Sequence, residues 1–355
     1  MKPKFRVGIV GAVSSYSLHY GQTLRDMPGI ELAGLAYLGR DPKYIKHSLN
    51  LPWLAKYPKT LEGYAETFKT QIYETVDQMV ASSKPDAVCI CTEDYLHQHY
   101  ALQAVASGMH VFLPKPFARS SEEAETMFKA ANTNNLVMVG SLPHRFQAAS
   151  ATARQAIDDD KIGRPVSGHF SIAHHLSLGG WKSDPSMAAG PELEVGFYAF
   201  DLMRMLMKSE PQTIMGIGAN LDHHGIPYID NGKCIIKCQN GALASIDLIF
   251  SMHQPFPAAR KMHVVGDEGA LTIEPDPNTD GECVAIYRPD RIERQKIPKW
   301  DPHAKELGAW IDLCRNGGDS TKWQQEGLRT LAMISAYKQA YQNNEMLTLD
   351  QEGKS

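Results

Sequence analysis

The chain predicts a two-domain α/β protein, and three stretches carry the prediction. Phe5-Arg6-Val7-Gly8-Ile9-Val10-Gly11 is an apolar run ending in glycine, as a buried parallel strand does when it enters a tight turn. Pro85 to Ala118 reads strand, loop, helix, strand, with Ala87 to Cys91, Thr92 to Leu96, His97 to Ser107 and Val111 to Leu113 in those roles and Gly108 as the helix stop. That order is one right-handed parallel crossover. From Val166 to Pro298 the chain is mostly short strands separated by Gly, Pro and Asn turns. The expected architecture is a doubly wound parallel sheet over residues 1–143. An α+β domain over 144–355 follows, with a large, mainly antiparallel open sheet and terminal helices within 304–343.

The first glycine turn leads into helical text from Leu18 to Met27, then a second strand from Ile30 to Tyr37. Strand, turn, helix and strand in this order make a dinucleotide-binding half of Rossmann type, because the helix N-terminus faces a pyrophosphate. The G-x-G-x-x-G pattern is altered: Gly11 keeps the first position, Val13 takes the second and Tyr16 the third. A side chain at the second position limits backbone approach to phosphate, and Ser14 and Ser15 offer hydroxyls instead. No acid stands at the end of the second strand to meet a ribose 2′-hydroxyl. Arg40 suits a 2′-phosphate and Asp41 either a helix cap or a ribose, so the reading is NAD or NADP with a lean to NADP. The prolines between Tyr44 and Glu66 predict a loop or irregular insertion. A short strand at Gln71 to Tyr73 and a helix from Glu74 to Ser82 lead to Pro85. A helix opened by Ser120, with Glu123 in capping-box position, and a strand from Leu136 to Gly140 complete the first domain.

Composition narrows the function. The chain has 355 residues, 43% hydrophobic and 21% charged, with a net charge of −4. That length fits two domains with full cores, and that charge gives no footprint for nucleic acid or an anionic membrane. No apolar run approaches the roughly 18 residues of a spanning helix. The early strand leaves no room for a signal peptide, so the expectation is cytoplasmic. The six cysteines lack zinc-ligand spacing and read as structural thiols; His223, His224 and His253 show no ligand constellation, so no metal is expected.

Lys115 closes the crossover, between Pro114 and Pro116, at the carboxyl end of a strand where ligands gather in open α/β sheets. Thr92, His97, Lys115 and Pro116 match a T-P-N-x-x-H-like loop and an E-K-P motif, with Glu93 and Pro114 departing from them. On these residues the chain resembles the glucose–fructose oxidoreductase / inositol dehydrogenase (Gfo/Idh/MocA) family over nearly its whole length. The resemblance implies NAD(P)-dependent chemistry on a sugar, polyol or glycoside. It also implies cofactor contacts from Gly11, Val13, Ser14, Ser15, Arg40, Thr92, Glu93, His97 and Pro116, and a homodimer or homotetramer formed through the C-terminal sheet.

Pro191 to Asp201 resembles the family's D-x-G-x-H-x-x-D helix, with Gly196 and Asp201 matching, Glu194 for the Asp and Tyr198 for the His. Read as one continuous helix through Met207, it sets Glu194 and Tyr198 four residues apart on one face. A free tyrosine has a pKa of about 10 and a free lysine about 10.4, so neither is a good base unaided; placed together beside an oxidised nicotinamide, each cation lowers the tyrosine's value and favours phenolate. Tyr198 then serves as base in oxidation and acid in reduction, with Lys115 as electrostatic partner, or the two exchange roles; Glu194 orients substrate. Arg145, His175, Trp181, Lys182 and Asp201 are the expected substrate contacts, with Trp181 stacking on a pyranose face.

Two alternatives remain open at this level. One is glycoside cleavage or sugar–sugar oxidoreduction with a recycled bound cofactor. The other is a homologue that binds nucleotide or sugar without turnover.

Overall fold

The computed structural model describes residues 4–175, 180–253 and 259–350. They form two compact units. The first comprises Met1–Ser141, Leu178–Ala189 and His303–Leu328; the second comprises Leu142–Ser177, Gly190–Pro302 and Arg329–Ser355.

The first unit holds β1 (Phe5–Val10), α1 (Ser15–Asp26), β2 (Ile30–Ala36), α2 (Pro42–Ser48), α3 (Leu61–Phe68), β3 (Ile72–Tyr73) and α4 (Val76–Ser83). It continues with β4 (Ala87–Ile90), α5 (His97–Ala106), β5 (His110–Leu113), α6 (Ser121–Thr133) and β6 (Met138–Gly140). Its six parallel strands run β3-β2-β1-β4-β5-β6. The order reverses at β1, which pairs with β2 on one side and β4 on the other. This is the expected doubly wound sheet, and β4 is buried along its whole length.

Residues 44–66 depart in part from the expected irregular insertion: α2 and α3 occupy its two ends, and the stretch between them, which holds Pro52 and Pro58, is irregular as expected. Pro42 opens α2, with Asp41 Oδ1 accepting from the Lys43 and Tyr44 N–H groups at 2.7 and 3.4 Å. Thr60 caps α3 by accepting from Gly63 N–H at 3.1 Å, and Tyr64 and Phe68 bury its inner face. Asp41 is thus a helix cap.

Two later segments join this unit. The helix α9 (Pro302–Asn316) carries Leu307, Trp310, Ile311 and Cys314 on one stripe, and they lie in the core cluster with Val7, Tyr20 and Phe112. The helix α10 (Thr321–Asn343) begins here, with Trp323 Nε1 donating to Gly140 O at 2.8 Å and Gln324 Nε2 to Met138 O at 2.9 Å. The sequence-based boundary assigned both helices to the second domain; the apolar stripe of α9 instead lies in the core of the first, and α10 is divided, its residues to Leu328 in the first unit and those from Arg329 in the second.

The second unit has α7 (Ala148–Asp158), β7 (Pro165–Ala173), α8 (Phe197–Met207), β8 (Pro211–Ala219), β9 (Asn231–Cys238), β10 (Leu243–Ile249) and β11 (Ala259–Gly266). The remaining strands are β12 (Ala270–Pro275), β13 (Glu282–Arg288), β14 (Arg291–Lys296) and β15 (Met346–Thr348). The nine strands run β14-β13-β12-β11-β7-β10-β9-β8-β15. Only β7 and β10 pair in parallel. Both edge strands, β14 and β15, escaped the sequence reading, because Arg-Ile-Glu-Arg-Gln-Lys and a three-residue strand carry little apolar signal.

Candidate active site

In the first unit the glycine turn is built as a nucleotide loop requires. Gly11 has φ +96°, and a Cβ there would stand 2.6 Å from Cys91 O and 2.8 Å from Thr92 Cγ2. Any side chain at that position would meet backbone as well as strain. The second pattern position needs no glycine, since Val13 turns into the core and is 2% exposed. Ser14 caps α1: its Oγ accepts from Tyr16 N–H at 3.4 Å, and its carbonyl accepts from Ser17 Oγ at 2.8 Å. Ser15 begins the helix, so the positive end of its dipole opens beside Gly11.

Thr92 and Glu93 follow β4, each 1% exposed. Glu93 Oε1 meets Arg40 Nη2 at 3.0 Å and accepts from Tyr44 OH at 3.0 Å. Burial and the Glu93 charge both push the Tyr44 phenol up. Arg40, expected to await a 2′-phosphate, is therefore engaged by a buried carboxylate. The loop is further pinned by Asp94 Oδ2, which accepts from Ala189 N–H at 2.8 Å, and by Tyr95 N–H donating to Met187 O at 3.1 Å. His97 is buried in the first turn of α5.

Lys115 stands beyond Leu113 at the carboxyl end of β5 and is only 6% exposed. Its peptide bond to Pro116 is cis, and Phe117 after it is fully buried against Gly140 and Gly327. Trp181 departs from the expected sugar platform. It is 4% exposed within the core cluster that includes Ala188, with Lys182 Nζ 5.3 Å from its ring centre. Its large apolar area draws the ring inward rather than toward solvent. The adjoining residues 176–179, part of the same expected sugar loop, lie outside the described residues.

In the second unit the Glu194–Tyr198 stretch is not one regular helix. Glu192–Gly196 is a π-turn, and α8 starts only at Phe197. The wider turn rotates Glu194 off the i, i+4 position that an unbroken α-helix would give it. Glu194 is 7% exposed. Tyr198 is half-buried, with the His144 ring edge-on at 4.2 Å and the Arg260 guanidinium 5.0 Å from its ring centre. Arg260 was not foreseen. It stands near the start of β11, 62 positions along the chain, and the one signal was its place as a cation at a strand end.

Arg145 and Asp201, expected to bind substrate, hold each other. Arg145 Nε and Nη2 donate to the Asp201 carboxylate at 3.0, 3.1 and 2.7 Å, and Thr330 Oγ1 donates to Asp201 Oδ1 at 3.2 Å. This bidentate pair ties α8 to the turn at Pro143–Phe146 and fixes the helix that carries Tyr198. His175 bridges to Ser251, its ring 5.9 Å from His223 and 6.1 Å from His253. Asp222, His223 and Asp230 bring ligand atoms within 4.8 Å of one another, a grouping the sequence did not suggest. The Asp230 carboxylate is already filled: it accepts from the N–H groups of Leu221, Asp222 and His223 at 2.8, 2.7 and 2.8 Å. Burial opposes its ionisation, but these amides outweigh burial and hold the carboxyl well below its usual range.

The residues present fit a dinucleotide in the first unit. A left-handed glycine leaves room that a Cβ would fill, a capped helix start lies beside it, and a buried carboxylate oxygen, Glu93 Oε2, has no hydrogen-bond donor.

Comparison with known proteins agrees. Residues 5–141 match the family model described as an oxidoreductase family with an NAD-binding Rossmann fold, and residues 150–272 match the GFO/IDH/MocA C-terminal domain. The chain is 26% identical over 289 residues to a dTDP-3,4-didehydro-2,6-dideoxy-alpha-D-glucose 3-reductase of Streptomyces violaceoruber, covering 78% of this chain and 83% of the relative. It is 28% identical over 202 residues to a 1,5-anhydro-D-fructose reductase of Ensifer adhaerens, covering 56% and 59%. The fold superposes on an aldose-aldose oxidoreductase of Caulobacter crescentus with a TM-score of 0.80 and 19% identity, over 98% of this chain and all of that one (100%). The chain belongs to the Gfo/Idh/MocA family of oxidoreductases.

Proposed function

We propose that this protein is an NAD(P)-dependent oxidoreductase acting on a hydroxyl or keto carbon of a sugar, polyol or glycoside. The observation that carries the reading is Lys115, a buried cation at the carboxyl end of β5 in a nucleotide-type sheet. A lysine this enclosed is uncommon without a task. Sugar reductases among the relatives support the substrate class.

Gly11, Ser14, Ser15, Thr92, Glu93, His97 and Pro116 would hold the nucleotide. When bound, the nicotinamide supplies the two-electron acceptor or donor. The protein's part is then the proton and the geometry. Lys115 Nζ donates a hydrogen bond to the reacting oxygen and stabilises charge that develops there. Tyr198 takes the hydroxyl proton in oxidation and returns it in reduction. The Arg260 guanidinium packs on its ring face, 5.0 Å from the ring centre, and helps to hold the ring in place. Glu194 accepts from a neighbouring sugar hydroxyl and sets the substrate's orientation.

Replacing Lys115 with Ala should lower kcat by about a thousandfold, the range for removing a charge-stabilising donor, while nucleotide affinity stays within about threefold. Stopped-flow turnover and nucleotide titration on one preparation check both. Unchanged turnover sinks the assignment.

We also propose that the open face of the second sheet joins copies of the chain into a homodimer or homotetramer. Met215, Ile217, Ile235, Leu243 and Met346 are about half or more exposed on that sheet, and Met215 is paired with both Ile235 and Met346. Six unpaired, buried thiols support work in the cytoplasm. Among the described residues, no helix is long and apolar enough to cross a membrane.

A further inference from the structure

The Arg40–Glu93 pair bears on which nucleotide the site takes, and the inference rests on the NAD(P) reading above. Arg40 follows β2 and Glu93 follows β4, and these strands flank β1 in the sheet. Their 3.0 Å contact therefore spans the carboxyl end of β1, where Gly11 opens the turn. That is the point where the strand order reverses, and ligands of doubly wound sheets bind there.

The two oxygens of Glu93 are used unequally. Arg40 Nη2 and Tyr44 OH both meet Oε1. Oε2 is buried and receives no hydrogen bond. The Glu93 side chain is 2% exposed, whereas that of Arg40 is 31% exposed. An ionised oxygen shut away from water without a donor is costly, so its position calls for one. Such folds commonly hold the adenosine ribose 2′-hydroxyl with an acid at the end of the second strand, or accommodate a 2′-phosphate with a nearby arginine. Here the second strand ends in Tyr37-Leu38-Gly39, and the acid arrives from the loop after β4.

We propose that Glu93 makes this site selective for NAD(H) over NADP(H). Its Oε2 accepts a hydrogen bond from the ribose diol, and its charge cancels the cation that a 2′-phosphate requires. A 2′-phosphate would bring close to two negative charges beside a carboxylate that burial leaves poorly screened. Arg40 cannot turn to that phosphate without leaving Glu93 buried and unpaired. Glu93 stands where the family's loop has proline, so the device belongs to this chain's own departure from the pattern.

The test is binding, followed by nicotinamide fluorescence without substrate. The unaltered protein should bind NADH at least about tenfold more tightly than NADPH, as expected for a poorly screened like charge. Glu93→Gln keeps the shape and deletes the charge, so the preference should move toward NADPH by about tenfold or more. Arg40→Gln should weaken NADPH further, by about fivefold, and leave NADH within about threefold. Equal affinities or a preference for NADPH in the unaltered protein overturn the proposal, with no variant needed, and leave the oxidoreductase reading standing. A ratio that Glu93→Gln does not move, in a protein that melts like its parent, overturns it as well. If Glu93→Gln does not fold, the parental ratio and Arg40→Gln decide. Binding of neither nucleotide overturns the selectivity and the oxidoreductase reading together.

Discussion

Strand β4 buries all four of its residues, whereas β9 alternates: Lys233, Ile235 and Lys237 face out while Cys234, Ile236 and Cys238 face in. The contrast extends to the whole of each sheet. Parallel strands joined by helical crossovers are covered on both faces, so the first unit has chemistry to offer only at its strand ends. Gly11, Glu93 and Lys115 all stand there, after β1, β4 and β5. The antiparallel sheet of the second unit turns one face to α8 and leaves the other to solvent, where Ile217 is 64% and Ile235 61% exposed. One sheet presents its strand ends, where the nucleotide is proposed to bind, and the other an open face, where the contact between copies is proposed.

Four variants probe that division, beginning with the largest expected effect. Tyr198→Phe removes the proposed acid/base group and should lower kcat about a hundredfold to ten-thousandfold. Melting should be unchanged, and turnover equal to the parent's would reassign the proton to Lys115. Gly11→Ala forces a side chain into the left-handed region against Cys91 O, and should weaken nucleotide binding by about tenfold or more. Titration of both nucleotides reads this, and unaltered affinity would mean that the edge of the first sheet is not the nucleotide site.

The paired change Ile217→Lys with Ile235→Lys should reduce the mass in sedimentation to that of a single chain while nucleotide affinity holds. A mass that does not change would leave the open face without the role proposed for it. The smallest effect expected is from Asp230→Asn, which weakens the acceptor for three loop amides and should cost about 1–3 kcal/mol of stability. Because the folded-state pKa is depressed, the stabilisation is full above the unfolded value of about 3.9 and fades as pH falls below it. The Asn variant should therefore lose less stability than its parent on acidification below about pH 4. Denaturant melts at pH 7 and pH 3 give the comparison.

Local chemistry was the part of the fold most legible in the sequence. Strand β4, helix α5, strand β5 and Lys115 between its prolines are read within one short stretch, since burial, helix stop and breaker all lie close together. Residues whose meaning depends on distant partners were not legible. Arg145 and Asp201 are 56 positions apart and looked like two ligand contacts until their forks met. Trp181 looked like a sugar platform because a loop sequence does not say which way a ring turns. Arg260 reached Tyr198 only through the sheet. The helices α2 and α3 were hidden by prolines that sit at or outside their first turns. The π-turn before α8 left no mark, since Glu192 to Gly196 reads like any helical start.

The parallel pairing of β7 with β10 has a consequence for the order of assembly. Phe170 is registered against Ile246 on one side and Met262 on the other, so both neighbours of the central strand come from far along the chain. Both contacts must close over the intervening α8, β8 and β9, whereas β8–β9 and β12–β13 close over short connections. Loop-closure cost favours the short connections first. Pulsed hydrogen exchange should find the amides of β8 and β9 protected before those of Phe170 and Ile172, and the reverse order would refute this sequence of events. On the ribosome, β7 emerges early and waits with both edges unpaired, which makes it the segment of the second unit most exposed to mispairing while the chain is still growing.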